Sequence, residues 1–201
     1  MGVEMMNILY TEDYLMKLND QLIPNHFLYW NGKMKKITAG ENWLMDGSFH
    51  INCRYLHTKD DCFLAKLSIS NLTDQRVTIK IFVESHLNEL KKNYIFVSPK
   101  KDVLFLTNED VLFLASGMLN GTSMTQYGVL KRNQYMEKIY DGMIPFIPIG
   151  TGNVVGLYTL EQRLVPYETT IAYTWTLASK IFSEKELLSQ DEQLKSRLAF
   201  S

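Results

Sequence analysis

Between residues 49 and 84 apolar and polar side chains alternate with a period of two. In Phe49-His50-Ile51-Asn52-Cys53-Arg54-Tyr55 the odd positions are apolar and the even ones polar. Phe63, Ala65, Leu67 and Ile69 form a second such row, and Val77, Ile79, Ile81 and Val83 a third. Strict alternation over this length is the pattern of strands with one buried face. Asn71 to Gln75, between the last two rows, carries turn chemistry. Upstream, Phe27-Leu28-Tyr29-Trp30 runs through Asn31-Gly32 into Lys33 to Ile37. Asn-Gly is a strong two-residue hairpin signal, because both positions tolerate positive φ. Val103-Leu104-Phe105-Leu106 and Val111-Leu112-Phe113-Leu114 make another hairpin around residues 107–110, and both arms are apolar on both faces. Such strands need cover on two sides, from a second layer, a helix or another molecule.

The rest of the chain is patterned less uniformly. Residues 123–139 suggest a further strand pair, and Gly142 to Gly152, with Pro145 and Pro148, a long loop. Val154 to Gln162 reads as a strand. A turn at Arg163 to Glu168 leads to Thr169 to Leu177, where Ile171, Tyr173, Trp175 and Leu177 share a face opposite threonines. After Ser183 the period changes. Ser183 and Glu186 match a capping box, and Leu187, Leu188, Leu194 and Leu198 form a narrow stripe. A helix over 183–200 is expected, and the spacing of Tyr10, Tyr14, Leu15 and Leu18 suggests a short helix before Pro24. The fold expected is mainly β: an antiparallel β-sandwich over 27–180, large enough to be supersandwich-like, within a single domain of 1–201.

Composition narrows the function. The chain has 201 residues, 46% of them hydrophobic and 21% charged, so it can bury a proper core. A net charge of −1 argues against nucleic-acid binding. The basic groups Lys33/Lys35/Lys36, Lys91/Lys92 and Lys100/Lys101 sit beside turns. The start carries Glu4, Glu12 and Asp13 and lacks the pattern of a secretory signal, and the apolar runs are too short to cross a bilayer. A cytoplasmic protein without membrane contact is expected, with Cys53 and Cys62 reduced.

Few residues suggest chemistry. Gly150-x-Gly152-x-x-x-Gly156 lacks the third glycine of a dinucleotide fingerprint where Val155 stands, and prolines precede it. His50 and Cys53, three apart on a strand, point to opposite faces. His57 and Cys62 supply at most two ligands, so no metal and no cofactor is expected. No Gly-x-Ser-x-Gly elbow is present. The least poor pair for acid–base work is His86 with Glu84, two apart on a strand and so on one face, which allows proximity. Tyr29, Trp30 and Trp43 are candidates for stacking on sugar rings, while Trp175 belongs with a core row. Leu104, Leu106, Val111 and Phe113, with Leu187, Leu194 and Leu198 of the tail, are candidates for an interface.

Phe63 to Glu84 (strand, Asn-Leu-Thr turn, strand) resembles the N-terminal β-sandwich domain of glucoamylase-like and maltose-phosphorylase-like enzymes. Val103 to Gly117, ending in Ser-Gly, resembles their strand hairpin. Leu160 to Leu177, with Leu164-x-Pro166-x-Glu168 and Trp175, is similar to their closing strands. The resemblance implies a sandwich, with carbohydrate contact or scaffolding as roles. In those enzymes the catalytic carboxylates lie in a helical barrel that has no counterpart in this sequence, so no catalytic residue carries over. Three functions follow as expectations: a non-catalytic protein acting by association, with itself or with a protein partner; a carbohydrate-binding module; and a sugar epimerase or mutarotase using His86 and Glu84.

Overall fold

Each alternating row becomes a strand with one face turned to a common interior. The computed structural model describes residues 22–38, 40, 42–45, 47–57, 62–87, 93–108, 110–179 and 183–199. In chain order the strands are β1 (Leu22–Trp30), β2 (Lys33–Ile37), β3 (Asn42–Met45), β4 (Phe49–His57), β5 (Cys62–Asn71), β6 (Val77–Leu87), β7 (Tyr94–Ser98), β8 (Val103–Thr107), β9 (Leu112–Leu119), β10 (Gln126–Lys131), β11 (Ile149–Thr151), β12 (Val154–Leu164) and β13 (Thr169–Ser179). Helix α1 (Tyr135–Tyr140) lies between β10 and β11, and α2 (Glu184–Leu198) follows β13. Every strand pairing among the described residues is antiparallel. One sheet has five strands in the order β10-β12-β6-β1-β2, and the other has eight, β11-β7-β8-β9-β13-β5-β4-β3. The β-sandwich expected from the alternation is present.

The sheets meet over Phe49, Ile51, Ala65, Leu67, Ile69, Ile79, Ile81, Val83 and Leu160. The hairpin β8–β9 is covered on both sides, as its composition requires. Leu104, Leu106, Val111 and Phe113 face the five-stranded sheet. Val103, Phe105 and Leu114 face outward, beneath α2, in a second cluster with Tyr173, Trp175, Leu177 and Leu187. Leu194 and Leu198 pack against the same cluster. Five of the seven apolar residues that suggested an interface are therefore buried inside the chain, and Leu194 and Leu198 are partly covered. Trp175 is buried, but under the helix rather than between the sheets, and its partners Thr174 and Thr176 point into the sandwich with Ala172.

Turn chemistry works as expected. Asn31 and Gly32 hold φ of 46° and 75°, which closes β1–β2, and Asn120-Gly121 repeats that geometry at 47° and 78°. Asn71 is buried and ties two turns together: its Nδ2 donates to the carbonyls of Gln75 and Val165, and its Oδ1 accepts from the Thr73 amide and hydroxyl.

Some elements differ from the sequence reading. β1 begins at Leu22 and contains Pro24. β2 pairs only with His26 to Trp30, so Pro24 stands where one side of β1 is an edge and needs no second donor. The segment 123–139 holds one strand and then a helix, because the short row after β10 packs Ile139 onto Phe82 and Leu157 instead of continuing the sheet. The loop expected at 142–152 ends in strand β11, and β7 carries no clear alternation signal. The short helix expected before Pro24 from Tyr10, Tyr14, Leu15 and Leu18 lies outside the described residues.

Residues 141–148 form a strap along the open side of the sandwich. Lys80 Nζ donates to the Gly142 carbonyl at 3.0 Å, the Ile144 amide to Gln126 Oε1 at 2.8 Å, and the Val129 and Val97 amides to the carbonyls of Ile147 and Pro148 at 2.8 Å each. The strap thus links the β10 edge of one sheet to the β7 edge of the other. Gly128 makes this approach possible, since a Cβ there would collide with the Pro145 carbonyl oxygen. Gly128→Ala is expected to displace the strap and cost about 2 kcal/mol. Faster amide exchange at Val129 and a lower urea midpoint would show it. Unchanged exchange at Val129 would mean that the strap does not depend on this close contact.

Candidate functional site

On β6 the odd residues point into the core and the even ones away from it. Phe82 is covered by α1, and Glu84 and His86 continue its row. Both are buried. The backbone register sets Asn25 of β1 opposite Glu84, and Arg132 follows directly after β10. The four side chains form one chain of hydrogen bonds. Asn25 Nδ2 donates to Glu84 Oε2 at 2.6 Å, and His86 Nδ1 lies 2.6 Å from Glu84 Oε1. Arg132 Nη2 lies 2.9 Å from His86 Nε2. A guanidinium can only donate, so Nε2 accepts and the ring proton sits on Nδ1, aimed at the carboxylate. The neutral imidazole therefore carries the buried charge of Glu84 outward to an exposed cation. Tyr135, the first residue of α1, is half-buried close by. Burial raises its phenol pKa, the Glu84 charge raises it further, and the Arg132 charge lowers it.

His86 and Glu84 are thus brought together, as their spacing suggests. Asn25 and Arg132 join them from 59 and 46 residues away. No sequence signal marks those two residues, because nothing local links β1 or the end of β10 to β6.

The aromatic candidates separate. Trp30 is buried in the main core with its ring edge against Phe49, so it presents no open face for a sugar. Tyr29 is partly buried and meets Phe82 edge-on, and Gly142 of the strap approaches its ring so closely that a Cβ there would stand 2.7 Å away. Trp43 lies in β3 opposite Ile51, with its side chain outside the described residues.

Inside the sandwich a second polar group sits among apolar neighbours. His26 is fully buried, with Nε2 2.8 Å from Thr174 Oγ1, and burial lowers its pKa to about 4. The Ser85 hydroxyl has no hydrogen-bond partner among the described residues, and the gap between Phe63, Ser85, Tyr158 and Thr176 is too narrow for a water molecule. That gap has polar atoms on its wall but no room for a ligand. The Cys53 thiol is buried and pushed up to about 11, so it is unreactive at neutral pH. Neither Cys53 nor Cys62 is joined in a disulfide. Among the described residues no three His, Cys, Asp or Glu side chains gather to hold a metal, and no helix is long and apolar enough to cross a membrane.

The surface feature that stands out is apolar. Tyr140, Met143, Phe146, Ile147 and Ile149 are all exposed, Met143 by 63% and Phe146 and Ile149 by 61% each. They lie within ten residues, from the end of α1 through the strap to β11. Tyr94, opposite Thr151 in the neighbouring strand, is exposed by 51%.

No family model and no curated protein matches the chain. A bacterial glucoamylase solved in complex with acarbose is similar in structure, with a TM-score of 0.61 at 12% identity, over 86% of this chain and 28% of that one. The chain therefore spans little more than a quarter of that enzyme. At this identity the likeness is one of fold. It agrees with the resemblance to a glucoamylase-like sandwich read from Phe63 to Leu177.

Proposed function

We propose that the chain is a non-catalytic β-sandwich protein that works by association, and that the surface it uses is the apolar face of residues 140–149, with a second copy of the chain as its occupant. The observation that carries this reading is the run of large apolar side chains left exposed on that face. Scattered single apolar residues need no explanation, whereas a contiguous group is the mark of an interaction site. The second copy is favoured by the grouping of these side chains within ten residues, from the end of α1 to β11. A compact apolar group of this kind suits a two-fold contact in which the same residues meet on both sides. Glu84 and His86 support the non-catalytic part of the reading, since both are buried and both are engaged by protein groups.

The test is sedimentation velocity over a wide range of concentration. The expected result is a reversible dimer at high concentration and a monomer in the Phe146→Asp/Ile149→Asp double variant, with an unchanged far-ultraviolet spectrum. A monomer at every concentration would overturn the proposal, as would a dimer that the double variant retains. The likeness to part of a glucoamylase supports a second reading, in which Tyr140 and Phe146 stack on a glucan. Saturable heat on titration with maltooligosaccharides, lost in Phe146→Asp, would put that reading in place of association.

A further inference from the structure

Arg132 is held in place without being neutralised by contact. Of the five N–H groups of its guanidinium, one on Nη2 reaches His86 Nε2 at 2.9 Å. An uncharged imidazole is a weak partner for a cation. The carboxylate behind it is already engaged, with Glu84 accepting from Asn25 and from His86 itself. Among the described residues no carboxylate forms an ion pair with Arg132. Its backbone is fixed too, the amide donating to the Asn153 carbonyl at 3.1 Å. The residue is exposed, and His86 occupies only one position of its guanidinium. A long side chain normally loses rotamer freedom when it grips a ligand, and here much of that loss is already taken by the bond to His86. The free edge of a guanidinium matches the two oxygens of a carboxylate or phosphate in bidentate geometry. Tyr135, three residues on and close enough to feel the Arg132 charge, supplies a hydroxyl on the same corner between β10 and α1.

We infer that Arg132, braced by His86 and Glu84, is a binding site for a small oxyanion, a carboxylate or a phosphate group, with the Tyr135 hydroxyl as a second donor. The site is separate from the apolar face and does not depend on it. The buried Glu84 charge opposes an incoming anion, so binding is modest and rests on geometry rather than on net charge. A purely structural role for Arg132, balancing Glu84 through His86, predicts no anion binding at all.

The experiment follows the Arg132 side-chain Nε–H resonance of the full chain during titration with inorganic phosphate and, separately, with acetate. Chloride at matched ionic strength is the reference. The expected result is a saturable shift with at least one oxyanion and none with chloride. A response to phosphate alone assigns the site to phosphate groups, and a response to acetate alone assigns it to carboxylates. Tyr135→Phe should weaken binding several-fold. Arg132→Lys keeps the charge and should still lose most of the affinity, because an ammonium cannot form the two-pronged contact. Two results would overturn the inference: no saturable shift with either anion, or undiminished binding, followed by calorimetry, in a folded Arg132→Lys variant.

Discussion

Asp191→Ala is expected to destabilise the fold by about 3 kcal/mol, the size seen when one partner of a buried ion pair is removed. For a chain of this length that corresponds to a melting temperature roughly 10 °C lower. Asp191 lies on the buried face of α2, almost fully out of water. Its Oδ1 accepts from the indole Nε1–H of Trp175 at 2.9 Å, and its Oδ2 pairs with Lys195 Nζ at 2.8 Å, one helical turn on. Lys195 also donates to the Lys101 carbonyl at 2.9 Å, at the turn between β7 and β8. The carboxylate thus joins the helix to β13 directly and to the β7–β8 turn through lysine. Burial raises the Asp191 pKa, while Lys195 and Trp175 act to lower it. Truncation leaves a buried indole N–H without its acceptor and an ammonium without its partner. Asp191→Asn keeps an oxygen for Trp175 and loses the ion pair, so its cost should be smaller. Urea unfolding followed by tryptophan fluorescence measures both variants. An alanine variant as stable as the parent would mean that α2 is seated by its leucines alone.

Acidification from pH 7 to pH 4 is expected to remove about 3 kcal/mol of stability through His26. In the folded chain its pKa is lowered to about 4, against 6.5 for an unburied histidine. The sign follows from proton uptake. Below pH 6.5 the unfolded chain binds a proton that the folded chain refuses, so stability falls as pH drops. The fall begins near 6.5 and levels off below about 4. A gap of about 2.5 pH units, at about 1.4 kcal/mol each, gives about 3.5 kcal/mol in full, of which about 3 kcal/mol is lost by pH 4. Asp191 works in the opposite sense: its raised pKa lets the folded chain take up a proton first, which adds stability as the solution becomes acidic. Urea midpoints between pH 7 and 5.5, compared between the parent and a His26 variant, isolate this histidine, because the contributions of the other titrating groups cancel in the difference. His26→Gln, which keeps a polar atom near Thr174, should flatten the dependence in that window. An unchanged slope in the variant would show that His26 does not control it.

How much of this was legible in the sequence depends on how local each feature is. The rows at 49–55, 63–69 and 77–83 became β4, β5 and β6 because alternation is written residue by residue and a pleated strand turns it into two faces. Asn31-Gly32 closed the hairpin because the turn needs only its own two residues. The apolar stripe of α2 was also visible. Asp191 stands within that stripe, four residues after Leu187 and three before Leu194, and a charge at such a position signals a buried partner that stripe counting passes over.

By itself the sequence determined that this protein is built of antiparallel strands ending in a helix, and that the hairpin of β8 and β9 must be covered on both sides. Only the tertiary structure decided what the covers are and which face is inside. Period two defines two faces without naming the inner one. The threonines of β13 therefore point into the sandwich towards His26, while Trp175 turns outward under α2. The same holds for the chain from Asn25 through Glu84 and His86 to Arg132. Its members lie on β1, on β6 and after β10, and only sheet pairing and the turn into α1 bring them within hydrogen-bond distance.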